Sequence, residues 1–193
     1  MDSAIQIVEK PDWVSWEEVK QCMVDAHAVN RAKGIKMYHY QWPAEQIKES
    51  VGEKGVMLVA LDGKKVVGTG ALIDKEGHAW YARGPYAYIG FDSVLPEYNG
   101  KGIYKELSLR REEIARARGY DVLLLDTHRK NHRVQEIGIK NGYKKVAFFR
   151  AKSGDHFNVI MVKWTNGRPF SASYCAWRFF RSKVMCYLRH VVK

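Results

Sequence analysis

The chain has 193 residues, 46% of them hydrophobic and 27% charged, with a formal net charge of +11 and a sequence pI near 9.5. A chain of this length buries a core of its own, and the balance of apolar and charged residues excludes a disordered protein. No run approaches the ~20 apolar residues that span a bilayer, and the start of the chain lacks the basic and apolar segments of a secretory signal, so a cytoplasmic protein is expected.

Residues 4–8, Ala-Ile-Gln-Ile-Val, predict a strand, stopped by Pro11. Apolar positions at Trp16, Val19, Met23, Ala26 and Val29 predict one helix over 15–33, opened by a Ser15/Glu18 capping box and ended by Gly34. A shorter helix is expected over 44–51, behind Pro43. Residues 55–74 read as two strands joined by Asp62-Gly63. The aromatic stretch 78–95 holds another strand in its second half. A helix then runs from about Gly102 to Arg118, with Ile103, Leu107, Ile114 and Ala117 on one face and charges opposite; Gly119 closes it.

The continuous apolar run over 121–127 predicts a strand buried on both faces in a parallel arrangement. Residues 131–140 predict a short helix ending at Asn141-Gly142, and two further strands flank Ser153-Gly154-Asp155. Beyond them Trp177, Phe180, Val184, Leu188 and Val191 recur at three and four, which predicts a last helix. Cys22, Cys175 and Cys186 show no Cys-x-x-Cys spacing and fit a reducing compartment. The sum is a mixed α/β domain over 1–165 and a basic helical extension over 166–193.

Between strand and helix stands Asn99-Gly100-Lys101-Gly102. The first N–H groups of a helix lack intrahelical acceptors, and the helix dipole adds positive potential, so such an end receives anions. Gly100 and Gly102 permit close approach of a ligand and Lys101 adds a charge; the other reading is an ordinary strand-to-helix turn. No Gly-Lys-Ser/Thr closes it as in a P-loop, and it is not the Gly-x-Gly-x-x-Gly dinucleotide turn.

This order of features resembles the GCN5-related N-acetyltransferases, the GNAT superfamily. Val94-Leu95-Pro96 matches the family's Val-x-Pro. Its Arg/Gln-x-x-Gly-x-Gly/Ala segment is matched in part, in either of two registers. From Glu97 both glycines are kept but Glu replaces the usual Arg or Gln; from Asn99, Gly102 is in place and Tyr104 takes the last small position. Asn131 and Gly142-Tyr143 resemble the family's Asn…Gly-Phe. The resemblance covers roughly residues 4–164 and is sharpest over 86–146.

It implies a mixed, mostly antiparallel sheet with a central parallel splayed pair, flanked by helices, plus the C-terminal helix. It implies acetyl-CoA as cosubstrate and no metal. The pyrophosphate would rest on Asn99, Gly100, Lys101, Gly102, Ile103 and Tyr104, the pantetheine on the strand edge at Ser93 and Val94, and Asn131 would assist. A backbone N–H near 92–94 would polarise the thioester carbonyl, and the amine of a small acceptor, an amino sugar among the candidates, would attack it directly. The family's frequent general-acid tyrosine falls on Gly138 and its glutamate base on Tyr88. Asp92 is therefore the expected base, Tyr88 the expected acid or substrate contact, and His128 a further candidate. Tyr38, His39, Tyr40, Trp42, Trp80, Tyr81, Tyr86 and Tyr88 either line the acceptor pocket or pack the core and its rim.

Six Lys/Arg residues (Arg168, Arg178, Arg181, Lys183, Arg189 and Lys193) and no acid follow Asn166. The extension over 170–193 can bind anionic membrane as a peripheral helix, pack on its own domain, pair with a second copy in a homodimer, or cover the acceptor site. Docking on protein is the expectation. No nucleic-acid partner is expected, since no reading module accompanies the charge. Two other functions compete with catalysis: a protein that holds CoA or an acyl-CoA without turnover, and a membrane-peripheral adaptor.

Overall fold

The computed structural model describes residues 5–35, 41–151, 156–166 and 169–191. Tyr38, His39, Tyr40, the turn at 153–155, Arg168 and Lys193 lie outside these residues, and so does the side chain of Val191. The mixed α/β class is as expected, with antiparallel strand pairs, flanking helices and a C-terminal helix. The chain forms two compact units, Met1–Lys75 with Ala87–Arg118, and Glu76–Tyr86 with Gly119–Lys193.

In the first unit β1 (Gln6–Glu9), β2 (Val56–Asp62), β3 (Lys65–Lys75) and β4 (Tyr86–Val94) lie side by side in chain order. β1 and β2 pair antiparallel with Val8 opposite Val59, and β2 and β3 with Val56 opposite Leu72. The hairpin is the expected one, but its turn residues are Gly63 and Lys64, one position past Asp62-Gly63: Asp62 pairs with Lys65, and Gly63 at φ 60° takes the first turn position. β4 runs back along β3, with Leu95 N–H donating to Val67 O at 2.9 Å.

Helices α1 (Trp16–Ala26), α3 (Ala44–Val51) and α4 (Ile103–Ala117) pack on this sheet through Val19, Met23, Ile47 and Leu107, all fully buried with Leu58 and Leu72. The Ser15 box is complete: Glu18 N–H donates to Ser15 Oγ at 3.2 Å and Ser15 N–H to Glu18 Oε2 at 2.7 Å. One helix was expected over 15–33, but α1 ends at Ala26 and α2 covers Ala28–Ala32. The break is at His27, whose ring turns inward to β4. A tertiary bond made there overrides the apolar period.

In the second unit β5 (Val122–His128), β7 (Phe157–Trp164) and β6 (Lys144–Arg150) follow in that spatial order, both pairs antiparallel, with Leu125 opposite Met161 and Phe148 opposite Val159. α5 (His132–Lys140) lies between β5 and β6 in the chain. α6 (Ala172–Val191) begins where Tyr174 N–H donates to Ser171 Oγ at 3.2 Å, and it packs on β6. Phe148 N–H donates to Ser182 Oγ at 2.8 Å, and the Phe148 ring meets Phe179 and Tyr187.

The tail therefore docks on its own unit, through a different face from the one its apolar period marks. Cys175, Phe179, Ser182 and Tyr187 turn inward, whereas Trp177, Phe180, Val184 and Leu188 are exposed. Among the described residues no helix is long and apolar enough to cross a membrane.

Candidate active site

The end of β4 is built on an unusual backbone. Phe91 has φ 55°, the left-handed region that non-glycine residues rarely enter. Its side chain is buried edge-on to Trp42, with ring centroids 6.2 Å apart, and Thr69 Oγ1 donates to Phe91 O at 2.6 Å. Packing on one side and a hydrogen bond on the other thus hold the strained residue. A kink of this kind in a strand re-aims the residues that follow it, here Asp92 and Ser93.

His27 holds the next peptide. Its Nε2 lies 3.0 Å from Asp92 O and 3.2 Å from Ser93 Oγ, while Asn30 Nδ2 donates to its Nδ1 at 3.1 Å. Since an amide nitrogen only donates, Nδ1 is the acceptor and Nε2 carries the hydrogen. Burial holds the imidazole below its ordinary pKa, against the pull of the Asp92 carbonyl, and Arg31 adds to the lowering. A neutral ring donating to Asp92 O is the consistent state.

The Asp92 side chain is engaged as well. Its Oδ1 lies 2.6 Å from Nη1 of Arg111, a residue of α4 with 0% side-chain exposure against 26% for Asp92. Room for the pair comes from Gly70 on β3, where a Cβ would stand 3.1 Å from both Arg111 Nη1 and Asp92 Oδ1. Burial pushes the Asp92 carboxyl up, and the guanidinium pulls it back. Tyr104, in the first turn of α4, feels the same two groups: burial pushes its hydroxyl up, the Asp92 charge adds to this, and Arg111 opposes it. Its phenol is therefore a proton holder at neutral pH. Gly68 does for the start of α4 what Gly70 does for the ion pair, since a Cβ there would meet Ile103 Cγ2 at 3.0 Å and Ser93 O at 3.1 Å.

The turn itself is short. Pro96–Tyr98 form one 3-10 turn, and Gly100 and Gly102 follow at φ 83° and φ 80°. A Cβ at either glycine would find nothing within 4 Å, so the surface in front of them is open. Gly102 is the N-cap of α4 and no side chain caps the helix. Glu97, the residue that departs from the usual Arg or Gln, is ion-paired with Lys65 at 3.1 Å. Lys101 Nζ stands 4.7 Å from the centre of the Tyr98 ring, whose hydroxyl donates to Asp62 Oδ2 at 2.7 Å. With Glu97 paired to Lys65, the uncapped N–H groups, the dipole and Lys101 favour an anion on the open side, against Glu106 in the first turn of α4.

Thus Tyr88, Asp92, Ser93, Val94 and Asn99 to Tyr104 all lie on β4, the turn and the first turn of α4. Tyr88 is half-buried; its ring lies across Gly90, where a Cβ would come within 2.5 Å of Tyr88 Cε1, and Lys75 Nζ is 5.6 Å from its centre. Asn131 belongs to the second unit and caps α5, its Oδ1 accepting from Val134 N–H at 3.4 Å. His128 is buried and stacked on His156, with centroids 5.0 Å apart. At Gly138 a Cβ would lie 2.9 Å from Cε of Met161, the end of a flexible side chain that packs over this position.

The aromatic residues expected at one acceptor pocket are divided. Trp42 and Tyr88 lie in the first unit, but Trp80, Tyr81 and Tyr86 form a cluster in the second. Trp80 meets Phe170 at 6.0 Å and Tyr174 at 5.7 Å, and burial pushes the Tyr81 hydroxyl up to about 12. These rings seat the start of α6, the core-and-rim role. His27, Phe91 and Arg111 were not anticipated from the sequence. Gly68 and Gly70 inside a strand were the available signal, because glycine there marks a close approach. Among the described residues no cluster of His, Cys, Asp or Glu could hold a metal ion.

A family model described as acetyltransferase (GNAT) family matches residues 16–138. No curated protein matches the chain. Solved structures similar to it include an acetyltransferase from Streptococcus agalactiae, at 22% identity and TM-score 0.63, covering 83% of this chain and 98% of that one. An aminoglycoside 6'-acetyltransferase type Ii matches at 20% identity and TM-score 0.65, covering 85% of this chain and 99% of that one. The ribosomal-protein-S18-alanine N-acetyltransferase from Escherichia coli matches at 14% and TM-score 0.64, covering 87% and 97%.

Proposed function

Because the chain belongs to the acetyltransferase (GNAT) family, we propose that it is a cytoplasmic N-acetyltransferase that moves an acetyl group from acetyl-CoA to the amine of a small acceptor by direct attack. One observation carries the reading: a strained strand end at Phe91 leads into two left-handed glycines that open an uncapped helix, with clear space in front. That cradle fits a pyrophosphate, and it would be held by Asn99, Gly100, Lys101, Gly102, Ile103 and Tyr104, with Ser93 and Val94 along the strand edge. Acetyl-CoA, when bound, supplies an acetyl group activated as a thioester.

The chain's own residues then position and move protons. His27 donates to Asp92 O and so fixes the direction of the peptide after Phe91, where a backbone N–H is to polarise the acetyl carbonyl. Asp92, raised by burial and steered by Arg111, takes the proton that the acceptor's ammonium must lose before the neutral amine attacks. As the N–C bond forms the C–S bond would break and the thiolate leave to take up a proton. Tyr88 is the acid or acceptor contact. An amino sugar is the first acceptor to try, because Trp42 and Tyr88 offer an apolar face and a hydroxyl.

A second reading, a GNAT-like protein that holds CoA or acyl-CoA without turnover, is favoured by one observation: Gly138, where the family's tyrosine would stand, is packed against Met161. Thiol release from acetyl-CoA across a panel of amino sugars, polyamines and peptide N-termini separates the two. Turnover on at least one amine is expected. Binding of acetyl-CoA with no release on any amine selects the second reading.

A further inference from the structure

The face of α6 turned away from β6 is apolar in water. Trp177 is 52% exposed, Phe180 65% and Leu188 53%, with Val184, Met185 and Tyr174 beside them. At ~1.5 Å per residue the stripe from Tyr174 to Leu188 runs ~21 Å along the 20-residue helix. Stripes of this size on a soluble surface mark an interaction site. The opposite face is already engaged by Ser182, Phe179 and Tyr187, so the helix cannot roll to bury the stripe.

Charge identifies the occupant. α6 carries Arg178, Arg181, Lys183 and Arg189 and no acidic residue. Arg178 stacks on Trp80 at 4.4 Å, while Arg181, Lys183 and Arg189 are exposed. At 100° per residue Arg181 falls within the stripe, over the Trp177 ring at 5.6 Å, Arg189 borders it beyond Met185, and Lys183 lies exposed on the other flank, beyond Tyr187. A second copy docked by two-fold symmetry would bring these cations onto one another with no acid to offset them. A layer of anionic headgroups over an apolar interior matches the pattern: rings enter, and arginine and lysine stems reach up to the phosphates.

We propose that α6 binds an anionic lipid surface, lying flat with Trp177, Phe180, Val184 and Leu188 inserted and Arg181, Lys183 and Arg189 at the headgroups. The helix lies on the bilayer and does not cross it. The face is prearranged because the docked side holds the helix fixed.

The test is sedimentation of the full chain with phosphatidylcholine vesicles, with and without phosphatidylglycerol. Expected are binding to the anionic vesicles alone and release at ~1 M salt, where screening shrinks to ~3 Å. The combined variant Arg181→Glu, Lys183→Glu, Arg189→Glu should lower partitioning ~10-fold or more, since each basic residue near an anionic surface counts. Trp177→Ser with Phe180→Ser should lower it too, with little change in melting temperature, because both rings are more than half exposed. Absence of binding to anionic vesicles at low salt, equal binding to neutral ones, or full binding by the charge-reversed chain would overturn the proposal. So would light scattering that shows a dimer abolished by Trp177→Ser, or saturable binding to a polyglutamate peptide but not to vesicles.

Discussion

Around the end of β4 charged and polar groups are buried and one residue is strained, whereas along α6 large apolar side chains stand in water on a regular helix. Arg111, His27 and Ser93 are interior, and each is matched by a hydrogen bond or ion pair from β4, α4 or α1 and its end. On α6 the inward face is held by rings and one serine, whereas Trp177, Phe180, Val184 and Leu188 on the outward face stay exposed. Burying polar groups costs free energy and fixes geometry; exposing apolar ones costs free energy and leaves an attachment surface. The first region is built to position atoms, and the second to meet a partner.

Breaking the ion pair should give the largest effect. Arg111→Met leaves Asp92 without its partner and should lower stability by on the order of 3 kcal/mol, the low end for a broken buried pair because Asp92 keeps some exposure. Urea unfolding reads this, and adding Asp92→Asn should restore part of the loss. Trp177→Ser in the same assay should stay within ~0.5 kcal/mol. Equal losses at the two sites would erase the contrast between the regions.

Catalysis comes next in size. Asp92→Asn should lower the rate of thiol release by ~10²-fold or more while acetyl-CoA affinity is kept, the signature of a lost base. Tyr88→Phe should cost less. Full activity in both variants across pH would place the proton carriers elsewhere.

Local chemistry made much of this legible in advance. The Ser15 box, the Asp62-Gly63 hairpin, the β5 run and the left-handed glycines before α4 all depend on neighbours in sequence. What escaped were features set by distant contacts. Phe91 is not a residue type that signals a left-handed backbone, and it stays there because Trp42 and Thr69 hold it. Arg111 sits among the charges of α4 and reads as solvated, yet Gly70, 41 positions earlier, makes its socket. The apolar period of α6 suggested a docked face, and periodicity has no means of saying that the opposite face docks instead.

The smallest expected effect concerns pH. The His27 pKa is lowered by burial, so the ring resists protonation in the folded chain more than in the unfolded one. The unfolded chain then binds the extra proton, and stability falls as pH drops below the ordinary histidine value of ~6.5. The melting temperature of the native chain should fall between about pH 7 and pH 5, and by less in His27→Gln. A parallel fall in both would mean that His27 is not the group responsible.

The central claim is that the glycine turn before α4 receives the cofactor's phosphates, and calorimetric titration of acetyl-CoA tests it directly. Both Gly102→Asn and Gly102→Asp put a side chain at φ 80°, at a strain of about 1–2 kcal/mol that asparagine and aspartate bear better than most residues. They are nearly equal in size and differ in charge and in the amide donor that asparagine keeps. The native chain should bind, Gly102→Asn should bind more weakly, and Gly102→Asp should lose ~10-fold or more beyond that, from a carboxylate set beside phosphates. A folded Gly102→Asp chain with native affinity, or a native chain that does not bind acetyl-CoA, would contradict it.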